Sequence, residues 1–151
     1  MNPKETEPNT AAPEKDGILA DWVNSRKTPR GIGIDCVCIS QMRDMDRRMS
    51  GVFARRTFTP RELELAEASL DYWEFLAGRF AVKEAVFKAL SCSEPNPFDF
   101  RKVETLRRDD GCPVINLDSI PKAALETAGG TGLLVSITGE GDYAIALVQL
   151  I

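Results

Sequence analysis

The chain of 151 residues contains no histidine. That absence excludes serine–histidine and cysteine–histidine nucleophile pairs, histidine general bases and most zinc sites. Acid–base or metal chemistry must then rest on carboxylates, lysines and water. Cysteine is scarce as well: Cys36, Cys38, Cys92 and Cys112 form no CxxC pair. The opening stretch "MNPKETEPNTAAPEKDG" is polar and acidic, without the apolar core of a secretory signal. Reduced thiols and a cytoplasmic location are therefore expected. No run approaches the roughly 18 apolar residues that span a bilayer, so no membrane partner is expected.

What is present fits one globular unit, 43% hydrophobic and 28% charged. A net charge of −4 argues against nucleic acid as a partner. The charge is uneven, however. Between Gly31 and Arg61 stand Arg43, Arg47, Arg48, Arg55, Arg56 and Arg61 against only Asp35, Asp44 and Asp46. A basic segment in an acidic protein suits an anionic partner or a phosphate ligand. Residues 1–29 read as a disordered or loosely ordered N-terminal extension, with a short helical turn at "ILADWVN"; residues 30–151 form the domain.

"GIGIDCVCIS" alternates Ile32, Ile34, Cys36 and Cys38 with Gly33, Asp35, Val37 and Ile39, which predicts a strand buried on both faces. Ser40 is the expected cap of a helix over 41–50, with Met42, Met45 and Met49 as its apolar stripe. Thr59-Pro60-Arg61-Glu62 is a capping box with proline at the first helical position, opening a helix to about residue 68. Asp71, with Glu74 three residues on, opens a long helix from Tyr72 to Leu90, ended by "SCSEPNP". "FRKVETLRR" and "PVINL" flank the turn "DDGC", a hairpin pattern. Ser119 caps a short helix in "SIPKAALETA", and "LLVSIT" and "DYAIALVQLI" make a last hairpin around "GEG". One strand, several helices and then mostly antiparallel strands give an α+β fold, a mainly antiparallel sheet packed on a long helix.

The long helix carries the chemistry. Leu76, Phe80, Val86, Phe87 and Leu90 define an apolar arc, and Lys83 falls inside it, where a cation is costly without a partner. Glu84 and Lys88 lie four residues apart at its edge, beside the small side chains Ala77, Ala81 and Ala85. As a surface pair they would contribute only about 0.2–0.5 kcal/mol. Asp35 changes that reading, because a carboxylate in a buried strand needs a cation or donors. If the helix packs on the strand, Asp35 and Glu84 converge as a pair suited to Mg²⁺, which takes one or two protein carboxylates together with phosphates and water. Lys88 and nearby arginines then complete a phosphate site.

"GIGIDCVCIS", "FTPRELE" and "GRFAVKEAVFKAL", in that order, resemble the holo-acyl-carrier-protein synthase type of 4′-phosphopantetheinyl transferase. "VETLRRDDGCPVINL" is similar to that family's G-[KR]-P hairpin and "VSITGEGDYAIALVQL" to its last two strands, so the resemblance covers about 31–150. It implies the fold of those transferases and transfer of 4′-phosphopantetheine from coenzyme A to a serine of an apo-acyl carrier protein, releasing 3′,5′-ADP. By the same resemblance Asp35 and Glu84 would hold Mg²⁺ at the CoA pyrophosphate, with Lys88 beside them. Glu84, or a water on the metal, is the candidate base. Arg79 and Lys83 are implied phosphate contacts, and Gly111, Pro113, Ser136 and Thr138 line the CoA cleft. The family is typically a homotrimer with sites between subunits. Arg43, Met45, Arg47, Arg48 and Arg55 are the expected docking surface for the acidic carrier protein.

The resemblance breaks at three places. Thr138-Gly139 stands where the family usually has histidine, Leu134 stands where a second is frequent, and Cys112 replaces the basic hairpin residue. Arg55, Arg56, Arg107 and Arg108 are the candidates to compensate. Two other readings accompany transfer: a non-catalytic homologue that binds carrier protein or CoA, and altered chemistry on a carrier-bound chain.

Overall fold

A computed structural model describes residues 29–90 and 99–151. The turn expected at "ILADWVN", Cys92, the "SCSEPNP" terminator and all but the last residue of the expected extension lie outside the described residues. Strand β1 (Gly31–Cys38) leads directly into α1 (Ile39–Arg48), α2 (Val52–Thr57), α3 (Pro60–Glu67) and the long α4 (Tyr72–Ala89). A 3-10 turn, Phe100–Lys102, precedes the hairpin β2 (Glu104–Arg107) and β3 (Pro113–Asn116). Then come a second 3-10 turn (Leu117–Ser119), α5 (Lys122–Thr127), β4 (Leu133–Glu140) and β5 (Tyr143–Leu150). β1, β5 and β4 form an antiparallel sheet in that spatial order, and β2 pairs with β3 separately. The fold is α+β, as expected.

α4 is the axis of the molecule. Asp71 opens it by accepting from the amides of Trp73 and Glu74. The helix is buried almost all round, from Leu76 and Ala77 to Val86 and Ala89, as expected of one enclosed by other elements. One side lies on the sheet, and the others meet α1, α3 and β2. On the sheet side the small residues let backbones touch. A Cβ on Gly31 would run into the carbonyl oxygen of Ala89, and one on Gly33 into that of Ala85. Above α4, the rings of Phe53, Phe58, Phe80 and Phe100 pack edge-on or tilted, with neighbouring centroids 5.5–6.5 Å apart.

Several local expectations are revised. β1 is buried on one face only: Ile32 is 61% and Ile34 58% exposed, because none of the described residues covers the sheet face opposite α4. The first helix starts at Ile39, so Ser40 is inside it and cannot be its cap. The cap arrives from the β4–β5 turn instead. Asp142 accepts from the Ser40 amide at 2.9 Å and the Ser40 hydroxyl at 2.5 Å, while its own carbonyl accepts from Ile39 N. Ser119 does not cap α5 either; it donates to Asn116 O and accepts from Glu104 N. The capping box of α3 is present in both directions between Thr59 and Glu62.

The Ser40 and Cys38 hydrogen bonds hold the Asp142 carboxyl below its ordinary range. A depressed carboxyl contributes stability that is present above its unfolded pKa and lost as pH falls through the folded one. Asp142→Ala is therefore expected to speed hydrogen exchange at the Ser40 amide near neutral pH while leaving β5 amides protected. Unchanged exchange at Ser40 would show that Asp142 does not fix the start of α1.

Candidate active site

Packing of α4 on β1 brings three of the sequence-predicted residues together. Lys88 donates to Asp35 Oδ1 at 2.7 Å and to the Ile34 carbonyl at 2.9 Å. The Asp35 side chain is 17% exposed and that of Lys88 47%, so the pair opens to solvent at one edge. Glu84 stands one turn before Lys88. Burial first, and then the charge of Asp35, raise its carboxyl above the ordinary value, with Lys88 opposing. Two carboxylates whose repulsion is felt in the proton affinity of one of them are a natural seat for a divalent cation. Among the described residues no cluster of three or more histidine, cysteine or carboxylate side chains could hold a metal. The pair alone is enough for Mg²⁺, which keeps waters and substrate phosphates in its remaining positions.

A second group lies elsewhere. Five residues separate Arg79 from Glu84, which at ~100° per residue places them about 140° apart around α4. Arg79 faces a cleft of about 500 Å³ lined by Asp71, Glu74, Phe75, Arg107, Gly111, Pro113, Ile137 and Thr138 among others. Asp35, Glu84 and Lys88 are not in its wall. Arg79 is 4% exposed, yet among the described residues its Nε and Nη2 have no hydrogen-bond partner. Its Cζ lies 3.9 Å from the centroid of Phe75. Burial, with Arg107 as the next cause, pulls its pKa down to about 10. Buried donors without partners are rare and costly, and here they border a cleft that an anion could enter.

The remaining residues separate clearly. Gly111, Pro113 and Thr138 line the cleft. Gly111 turns the hairpin with φ 85°, a conformation that favours glycine. Ser136 points from β4 to the exposed sheet face and is not in the cleft wall. At Gly139, where the resemblance leads one to expect histidine, a Cβ would sit 3.2 Å from Glu74 Oε1, so this carboxylate occupies the space beside it.

Lys83 is corrected by the structure. Its ammonium is fully buried, 2.8 Å from Glu62 Oε2, and donates to the carbonyls of Phe100 and Val103. With three donors already taken, it has none left for a CoA phosphate. Sequence reasoning found the awkward cation but not its partner on α3. Of the four arginines offered as compensating for the lost family residues, Arg107 is the one in the wall of the arginine cleft.

On α1 and α2, Arg43, Arg47, Arg48 and Arg55 are exposed. Met42 belongs to the core at 3% exposure, whereas Met45 and Met49 are 38% and 42% exposed. The methionine stripe is thus divided between packing and surface.

Known proteins resemble this chain in sequence and fold. The holo-[acyl-carrier-protein] synthase of Desulforudis audaxviator is 37% identical over 116 residues, covering 77% of this chain and 88% of that protein. Its namesake from Dehalococcoides mccartyi is 39% identical over 116 residues, covering 77% and 93%. The crystal structure of the Helicobacter pylori holo-[acyl-carrier-protein] synthase in complex with coenzyme A superposes with a TM-score of 0.68. It is 28% identical and covers 80% of this chain and 99% of that one. A family model for the 4′-phosphopantetheinyl transferase superfamily matches residues 31–148, and with the fold and these relatives it shows that the chain belongs to that superfamily.

Proposed function

We propose that this protein transfers 4′-phosphopantetheine from coenzyme A to a serine of an apo-acyl carrier protein, releasing 3′,5′-ADP, with Mg²⁺ as its metal. Residues 30–151 carry the activity behind an N-terminal extension, and the setting is cytoplasmic fatty-acid synthesis. The observation that carries the reading is the pairing of a carboxylate–lysine group on one flank of α4 with an arginine cleft of orphaned donors on the other. CoA has the matching chemistry: a pyrophosphate in its middle and a phosphorylated nucleoside at one end.

Asp35 and Glu84 would hold the Mg²⁺, which when bound neutralises charge on the phosphate oxygens. Lys88 lies half-exposed beside Asp35 and can turn its ammonium toward the same oxygens as charge grows on the leaving group. The Arg79 guanidinium, with free Nε and Nη2 donors, suits a nucleotide phosphate. Burial and Asp35 raise the proton affinity of Glu84, a property that a base for the carrier serine needs.

The split site also supports a homotrimer. In one chain the two groups point away from each other across α4, so one copy's carboxylates and a neighbour's arginine cleft would complete each site. The exposed sheet face with Ile32, Ile34, Cys36 and Leu134 is the surface on which copies would meet. The carrier would dock on the exposed Arg43, Met45, Arg47, Arg48 and Arg55, which suit an acidic partner.

Mass spectrometry of an apo-carrier incubated with CoA, Mg²⁺ and this protein tests the proposal. A phosphopantetheine mass gain is expected, and chelation of the metal with EDTA is expected to stop it. No gain across several carriers at high enzyme concentration would overturn the reading.

A further inference from the structure

The two arginines of the cleft come from different parts of the fold. Arg79 is on α4, and Arg107 ends β2. Both approach the ring of Phe75, Arg79 Cζ at 3.9 Å and Arg107 Cζ at 6.0 Å from its centroid. Among the described residues neither forms an ion pair. Two unpaired cations facing one partly buried cleft repel each other. Before a ligand arrives, that repulsion favours moving the β2–β3 hairpin away from α4.

Beneath the hairpin lies a pair that opposes this. Glu62 and Lys83 are both fully buried, 2.8 Å apart. Lys83, one turn after Arg79, donates to Phe100 O and Val103 O in the segment that leads into β2. Glu62 accepts from the Thr105 amide at 3.0 Å, within β2 and two residues before Arg107. It also accepts from Thr59 N at 3.0 Å, closing the capping box of α3. One ion pair thus bonds α3, α4 and β2 together. Stability does not explain it, because replacing a buried ion pair with well-packed apolar residues is frequently neutral or stabilising. Fixing the register of elements is the best-attested use of such pairs.

We propose that the Glu62–Lys83 pair is a positioning device for anion binding: it pins β2 to α4 and holds Arg107 and Arg79 at a ligand-binding spacing against their mutual repulsion. This rests on the reading of the cleft as the seat of the CoA nucleotide end. Neither residue touches the ligand. The pair acts through the two arginines, and so its loss is expected to fall on CoA binding rather than on carrier binding or turnover.

The test is the double variant Glu62→Leu/Lys83→Met, compared with wild type by thermal unfolding, by calorimetric titration with CoA and by steady-state transfer. The expected result is a cooperatively folded protein whose KM and Kd for CoA rise about tenfold to 10²-fold, the range that misplacing binding groups produces. Its KM for the carrier and its kcat are expected to stay near wild type. A merely structural role would leave CoA binding unchanged in the folded variant, or would raise both KM values together; either result overturns the inference. If the double variant does not fold, Glu62→Gln removes the charge and, since its amide nitrogen must face either Thr59 N or Thr105 N, one of the two acceptor contacts. A smaller rise in the CoA KM supports the inference there, and an unchanged KM overturns it. Equal CoA binding by wild type and variant defeats the positioning role while leaving the transferase reading intact. Absence of CoA binding by wild type defeats the reading of the cleft and the inference with it.

Discussion

Glu84→Gln is expected to abolish transfer while leaving the fold intact. The amide is nearly the same size, so the packing of α4 on β1 survives, but the negative charge that pairs with Asp35 for a cation is gone. Loss of several kcal/mol of charge stabilisation at the reacting phosphate corresponds to a fall in kcat on the order of 10³-fold or more. The wild-type pH profile should carry the same signature. Burial and Asp35 raise the Glu84 carboxyl above 4.5, so its charge is lost earlier than usual as pH falls. Activity at limiting Mg²⁺ is expected to drop on that acidic limb. Asp35→Asn should move the titration of Glu84 to lower pH, because it removes one of the two causes of the shift. The split site adds a second readout. Arg79→Ala damages the other half, so mixing the two inactive proteins as reassociating subunits is expected to restore activity. In a symmetric ring about one quarter of the interfaces then carry both intact halves. A Glu84→Gln protein within tenfold of wild-type turnover would refute its role. Failure of mixed subunits that do exchange would refute the interfacial site.

How far the sequence revealed this depends on how local each cause is. The start of α3 and the start of α4 were legible because Thr59 with Glu62, and Asp71 with its next amides, cap within three residues. The β2–β3 hairpin was legible because Gly111 supplies a left-handed turn beside its own strands. The start of α1 was not legible, since its cap is Asp142, 102 residues away from Ser40. Nor was the six-residue α2, which follows Gly51 at φ 75° and whose Ala54 amide is capped from α1, donating to Asp46 Oδ1 at 2.9 Å.

The site follows the same rule. Asp35, Glu84 and Lys88 were legible as a group because one buried strand and one helix edge had to meet. Lys83 was legible as an anomaly but not as half of a buried pair, because Glu62 lies on another helix and looks like an ordinary capping residue. The separation of Arg79 from Glu84 was available all along in their five-residue spacing. A motif written as a string places the two side by side, whereas the helix turns them to opposite flanks. On the proposed function, that geometry gives each chain two half-sites.

Gly33→Ala should be the most damaging single-methyl change in the domain. Gly33 has no left-handed backbone to protect, so its need for glycine is steric. The new methyl would point into the Ala85 carbonyl oxygen, with the Ala89 amide also too close. Backbone atoms of a buried helix cannot rotate aside as a side chain can. The cost is therefore expected at or beyond the top of the range for overpacked cores, about 3 kcal/mol or more. The consequence reaches the chemistry because Asp35 is two residues further along the same strand face, where it meets Lys88 at 2.7 Å. Pushing β1 off α4 lengthens that contact and separates Asp35 from Glu84, so any folded Gly33→Ala protein should lose turnover as well as stability. Gly132→Ala is the matched control: its Cβ would lie 3.4 Å from Ile151 Cγ1, an ordinary contact, and neither stability nor transfer should change appreciably. Chemical denaturation and transfer assays on the two variants decide the matter. A Gly33→Ala protein as stable and active as Gly132→Ala would mean that the close approach of β1 to α4 does not set the site.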